Sequence, residues 1–410
     1  MKVQKSKGTR DLLPADMLRF RTIESVFRDA CMAWDFKEVR TPTIEYLHLF
    51  TSAGTLTPAT LGKVYSFLDW DGWSGERVVL RPDGTIPVAR LYIDNLSKQK
   101  QARLFYVNNI FIFEETGREN RERWQCGAEL IGSGDAASDV QLITIALETL
   151  NKLGVENIKI TLSHAGVIRA LLGGFGLNAQ EQGKVFDQIL DGDVAVLERL
   201  SDQTPELVQL LKPLLDLKGK TPGFLKNLRA LFDHKIPEFA PALDNFTAIA
   251  DLLSTLGYKY EIDMSSGRGF EYYTGLIFQV FAGETKIGGG GRYDVLIPQM
   301  GGADVPACGF ALYVDPLMEL IKTTPVKTQK VIVTANDGTA AAATALEIVK
   351  QLHKAGLVAS LETGDIRDTT AWQLKVDSKS PQFVLTDKSG KNAGEVKSVE
   401  DVLKIIGGSR

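Results

Sequence analysis

GRGFEYYTGLIFQVF, residues 267–281, and KIGGGGRYDVLI, residues 286–297, form two strand-like runs separated by only four residues. The first is rich in aromatic and β-branched side chains, the composition of a strand inside a sheet. The second carries four consecutive glycines at 288–291, which implies either a backbone at positive φ or a place where something must approach the main chain closely. It is no phosphate-binding loop, because no Gly-Lys-Ser/Thr follows, and no dinucleotide fingerprint, because the GxGxxG spacing before a helix is absent. Taken alone, a glycine run is a weak signal and an ordinary turn is the better reading.

Working outward, strand character precedes the pair at YKYEIDMS, and further strands are expected at RVVLRP, at RLFYVNNIFIFEE and across 156–163. RLFYVNNIFIFEE alternates enough to lie half buried. Residues 18–34 and 136–152 carry apolar side chains at helical spacing, the second closed by Gly154. From about 166 to 256 the pattern is helical, an insertion between strands. The run IKTTPVKTQK, with Pro325 inside it, reads as a linker over 322–329. Beyond it, VIVTA, a helix ending at Gly356, LVASLE, a helix near Trp372 and PQFVLT predict a small parallel-sheet α/β domain over 330–410. The expected fold class is α+β: an antiparallel-rich core over 1–321 with a helical insertion, plus that α/β domain.

The chain has 410 residues, 44% hydrophobic and 24% charged, with a net charge of −4, so its surface as a whole is not built to attract nucleic acid. The start is basic but has no apolar run behind it, so no signal peptide is expected there, and no stretch has the length and apolarity of a membrane span. Cys31, Cys126 and Cys308 form neither a disulfide framework nor a CxxC pair, which suits a cytoplasmic protein. His48, His164, His234 and His353 match no metal spacing.

Five segments in order carry a family resemblance. The opening pair resembles the two histidine-specific motifs of histidyl-tRNA synthetases and their paralogues. TRDLLP with TPTIEY resembles the first class II synthetase motif, RPDGT (81–85) the amino-acid-binding loop, and YVNNIFIFEE with RERWQCGAELIG the second motif; GFALYVDPLMEL (309–320) stands where the third belongs. The resemblance spans residues 7–320. It implies a class II synthetase-like core, a homodimer with Pro42 at its interface, and an anticodon-domain likeness for 330–410.

A histidine ligand carries an ammonium, a carboxylate and an imidazole, so its site calls for carboxylates, hydroxyls and a guanidinium. The resemblance assigns Asp83 and Thr85 to the amino end, and Gln125 and Glu129 to the amino group and imidazole. It assigns Arg268 to the ligand carboxylate, and Tyr273 and Tyr293, with Tyr272 beside them, to the imidazole pocket. Asp83 stands where synthetases usually carry glutamate. Each residue also has an ordinary reading: a salt-bridged strand carboxylate, a core aromatic, a surface arginine.

The nucleotide half departs from the family. Its FRxER segment is matched here by Phe111, Ile112, Phe113, Glu114 and Glu115, and its GLER segment by Tyr313, Val314, Asp315 and Pro316. The arginines that clamp ATP are gone. Losing one preorganised donor costs about 10²–10³ in rate, so adenylation is not expected. Arg118, Arg121 and Arg123 are the nearby arginines, too few in the right place to replace them all.

A kept amino-acid pocket beside a lost nucleotide site resembles the regulatory-subunit family of ATP phosphoribosyltransferase, a paralogue of the synthetases. That resemblance implies a non-catalytic chain with no cofactor and no metal. It implies a catalytic short-form partner subunit, and histidine as ligand in feedback on the first step of histidine biosynthesis. Residues 326–410 hold 12 Lys+Arg against 10 Asp+Glu, with Trp372 and Phe383 as their aromatics, weak support for tRNA binding. The alternatives are a histidine–tRNA ligase, or a histidine-sensing paralogue with another partner.

Overall fold

The computed structural model describes residues 4–52, 61–69, 75–114, 116, 118–173, 175–191, 193–203, 205, 208–209, 218–232, 239–267, 272–322, 329–335, 338–362, 371–376 and 383–407. Arg268, Glu115, His234 and most of the expected linker lie outside them. The chain divides into two compact units, Met1–Thr323 and Thr324–Arg410.

The first unit is built on a nine-stranded sheet. In chain order its strands are β1 (Lys37–Glu38), β5 (Ala102–Phe111), β6 (Glu122–Ile131), β7 (Ile158–His164), β8 (Lys218–Gly219), β9 (Glu261–Asp263), β10 (Leu276–Ala282), β11 (Thr285–Arg292) and β12 (Ala307–Tyr313). They lie side by side as β1-β5-β6-β12-β11-β10-β7-β9-β8. From β5 to β7 every pairing is antiparallel. A separate three-stranded sheet joins β2 (Ile44–Tyr46), β3 (Ser66–Leu68) and β4 (Arg77–Leu80), with β4 in the middle.

β5 is buried on both faces instead of half buried. Its alternate residues enter two cores: Phe105 and Val107 face one, Ala102, Leu104 and Tyr106 the other. Helix Pro14–Ala33 covers the first face with Phe20, Ile23, Phe27 and Cys31 at helical spacing. It starts four residues earlier than its apolar pattern, because Pro14 suits a first helical turn and Asp16 caps the Leu13 N–H. Helix Ala136–Lys152 runs over the predicted residues, with Asp135 capping Ser138 N–H at 2.7 Å. Helix Thr85–Leu91 supplies Ile86, Val88 and Ala89 to the opposite core.

Five helices, Ala165–Gly173, Ala179–Leu190, Val194–Gln203, Pro222–Phe232 and Phe239–Thr255, are described in the inserted stretch. The four glycines take the close-approach alternative. None has positive φ, and a Cβ on Gly290 or Gly291 would stand 2.1 or 2.2 Å from a carbonyl oxygen of the neighbouring strand.

The second unit holds β13 (Lys330–Ala335), β14 (Val358–Glu362), β15 (Trp372–Val376), β16 (Phe383–Thr386) and β17 (Asn392–Val396), ordered β14-β13-β15-β16-β17. Two sequence expectations bear on this unit, and the helix expected near Trp372 falls partly on residues 363–370, outside the described ones. Trp372 begins a strand, because Trp372, Leu374 and Val376 alternate into the core while Gln373 and Lys375 do not. The sheet is mixed, since β15, β16 and β17 pair antiparallel. Among the described residues no helix is long and apolar enough to cross a membrane.

Candidate histidine pocket and its degenerate neighbour

The strand period of two places Gln125, Gly127 and Glu129 of β6 on one face and Cys126, Ala128 and Leu130 on the other, in the helix-covered core. Glu129 is 1% exposed, opposite Gly309 of β12, which in turn pairs with Gly291 of β11. The Gly309 position lacks a side chain for a clear reason: a Cβ there would stand 1.6 Å from Glu129 Oε2. Glycines make the floor on which the carboxyl rests.

Three hydroxyls converge on that carboxyl. Thr85 Oγ1 donates to Oε1 at 2.8 Å, Tyr106 OH donates to Oε1 at 3.3 Å, and Tyr293 OH donates to Oε2. Burial nevertheless pushes the Glu129 carboxyl up to about 8, against these three donors and with the charge of Asp83 adding to the rise. Asp83 accepts the Ile86 N–H at 2.8 Å, at the start of helix Thr85–Leu91; burial outweighs its backbone hydrogen bonds and raises its pKa too. Tyr272 packs edge-on against Tyr273 at 5.0 Å and tilted against Tyr293 at 5.4 Å. The Tyr272 hydroxyl is buried and has no hydrogen-bond partner among the described residues.

Thus Asp83, Thr85, Glu129, Tyr272, Tyr273 and Tyr293 come together. Gln125 lies further along the same face of β6, opposite Tyr313, and lines an adjoining cavity of about 540 Å³. Tyr106 is the pocket residue that sequence reasoning missed. It is fully buried, and Gly84 and Gly127 both leave room for its ring. The signal was available in the two glycines, but only the register shows that they flank one tyrosine.

Arg292, next to Tyr293, holds the end of β11 through a buried ion pair to Asp139 at 2.9 Å and a partly exposed one to Asp294 at 3.1 Å, and donates to the Ser133 carbonyl at 3.0 Å. This anchor sets the position of the Tyr293 ring.

The adjoining cavity is lined by Ile110, Ile112, Arg118, Arg123, Asp315 and Pro316 among others. Of its charged groups, which also include Glu119 and Lys286, the acids and Arg123 are paired. Arg123 pairs with Glu119 at 2.6 Å, and Asp315 pairs with Arg10 and accepts the Trp124 N–H at 3.2 Å. Arg121 donates to the Glu114 carbonyl at 2.7 Å and lies over the Phe113 ring. Among the described residues no cluster of His, Cys, Asp and Glu is disposed to hold a metal ion.

A sheet of this order, with an acid-and-tyrosine pocket at its centre, defines a histidyl-tRNA synthetase-type class II core, and the sequence profile described as histidyl-tRNA synthetase matches residues 8–317. An ATP phosphoribosyltransferase regulatory subunit from Dehalococcoides mccartyi is 48% identical over 99% of each chain. A histidine–tRNA ligase from Methanosarcina acetivorans is 36% identical over 83% of this chain and 80% of its own. The fold matches the crystal structure of an ATP phosphoribosyltransferase regulatory subunit/histidyl-tRNA synthetase from Bacillus halodurans, with a TM-score of 0.79 at 23% identity, over 93% of this chain and 100% of that one. The chain belongs to the ATP phosphoribosyltransferase regulatory subunits, within the histidyl-tRNA synthetase family.

Proposed function

We propose that this regulatory subunit binds histidine in the Glu129 pocket and passes the occupancy of that pocket to a catalytic short-form ATP phosphoribosyltransferase subunit. One observation carries the reading: the described acids and hydroxyls of the pocket converge at Glu129, beside a cavity in which Ile112 and Pro316 occupy positions matching the family's ATP-clamping arginines. Buried acidic groups with no described cation between them favour a ligand that brings positive charge. The absence of arginine at Ile112 and Pro316, the two clamp-matching positions that line this cavity, disfavours the phosphates of ATP. Any effect of histidine on the partner must be reciprocal, so the partner's substrates weaken histidine binding by the same factor.

The same reading has the chain as a homodimer. Ile44, Tyr46 and Phe67, on one face of the three-stranded sheet, are 43–50% exposed, and the first two follow Pro42 in the first motif. Three free, buried thiols fit a cytoplasmic setting. tRNA has no role in it.

Calorimetry with histidine and, separately, with ATP–Mg²⁺ tests the proposal. Histidine is expected to bind, ATP is not, and Arg268→Ala is expected to weaken histidine by about 10–100-fold through loss of a charge-assisted contact. ATP binding followed by pyrophosphate exchange would make the chain a histidine–tRNA ligase instead.

A further inference from the structure

Every described group facing Glu129 is neutral or acidic. Asp83 and Thr85 face it from the loop and helix start at 83–85, Tyr106 from β5, and Tyr272 and Tyr273 from the segment before β10. Tyr293 faces it from the end of β11 and Cys308 from β12. No described lysine or arginine pairs with it, and no cation is among the groups that bear most on its ionisation. Arg268 is assigned by resemblance to the ligand's own carboxylate. A carboxylate so enclosed, beside a second one, is costly to ionise in an empty pocket.

We propose that the pocket carries the proton its ligand needs: Glu129 is protonated when the pocket is empty, and the complex keeps one proton between the Glu129 carboxyl and the imidazole ring. The inference rests on the histidine reading above and adds the ionisation state to it. The hydroxyls of Thr85, Tyr106 and Tyr293 rotate to suit either form of the carboxyl. The unpartnered Tyr272 hydroxyl is left to meet the ring.

The proton balance follows. A free imidazole titrates near ~6.5, and burial holds the Glu129 carboxyl up at about 8. Between these values a neutral ring meets a protonated carboxyl, and the proton passes from Oε toward the ring nitrogen with none exchanged with solvent. Below that window both partners arrive protonated and binding releases one proton. Above it neither does, and binding takes one up. Affinity therefore peaks inside the window and falls about tenfold per pH unit on each side. Because Asp83 and Glu129 lie close, the upper limit belongs to the pair.

The test is calorimetry of the full-length protein with histidine in paired buffers of different ionisation enthalpy, near pH 5.5, 7.2 and 8.5. Expected are about one proton released, none, and uptake approaching one, respectively. A triazole analogue of histidine, whose ring stays neutral, is expected to lose the acid limb. Tyr106→Phe removes a donor that favours the carboxylate, so it is expected to move the alkaline limit to higher pH. Carbon-detected NMR titration of the Glu129 carboxyl reads the empty pocket without any substitution. Proton exchange that is unchanged across the three pH values would overturn the inference, as would an acid limb that persists with the triazole. Absence of histidine binding at every pH would instead overturn the histidine reading on which it rests.

Discussion

Gly309 shows how much one missing methyl group decides. A Cβ there would meet Glu129 Oε2 at 1.6 Å and the Tyr293 hydroxyl at 2.8 Å, both parts of the pocket. Gly309→Ala is therefore expected to displace the carboxyl, cost about 1–3 kcal/mol in stability, and abolish histidine binding while the chain still folds. Chemical denaturation together with a histidine titration checks this. Unchanged histidine affinity in a folded variant would remove Glu129 from the site. The glycine was legible in the sequence as part of the third-motif segment, but its reason was not. Only the pairing of Gly309 with Glu129 across two strands distant in the chain reveals it.

At the scale of elements, the junction of β7 with helix Ala165–Gly173 turns on His164, which is 3% exposed. Its Nε2 lies 3.1 Å from Asn245 Oδ1 on helix Phe239–Thr255, and its Nδ1 accepts the Val167 N–H at 3.4 Å. The ring is thus held neutral between two helices, and burial lowers its pKa to about 4. In the unfolded chain an ordinary histidine protonates near ~6.5. Between those values the unfolded state binds more protons, so stability rests on the neutral form and falls as the pH drops from about 6.5 toward about 4. The expected loss is roughly 3 kcal/mol across that span, read as a falling denaturation midpoint; His164→Gln should flatten this part of the profile. A profile identical to wild type would mean that His164 titrates normally. From the sequence His164 was an unremarked histidine matching no metal spacing, because its burial depends on a helix some eighty residues away.

Over the whole molecule, the exposed apolar face of Ile44, Tyr46 and Phe67 bears on assembly. An apolar surface of this kind, on a sheet whose β2 carries the first-motif likeness, is expected to be covered by a second copy. Ile44→Glu with Phe67→Glu should convert a dimer into a monomer that keeps its fold, as measured by sedimentation. A monomeric wild type would refute that interface. Arg81 gives the surface a rigid base: it donates to the carbonyls of Thr41 and Pro42 at 2.8 and 3.0 Å and to Asn109 Oδ1 at 2.7 Å, joining the first motif to β5.

Residue type and order alone determined the class of core, the family resemblance, and most of the candidate pocket. The glycine runs, the strand alternation and the loss of the nucleotide arginines are local or collinear signals that survive without coordinates. Tertiary structure decided the rest. It chose close approach over positive φ for residues 288–291 and divided β5 between two cores. It turned the stretch at Trp372 into a strand and brought Tyr106 onto Glu129. Each of these depends on which strand lies beside which. Register between strands far apart in the chain is set by packing of the whole sheet, and no single stretch of sequence contains it.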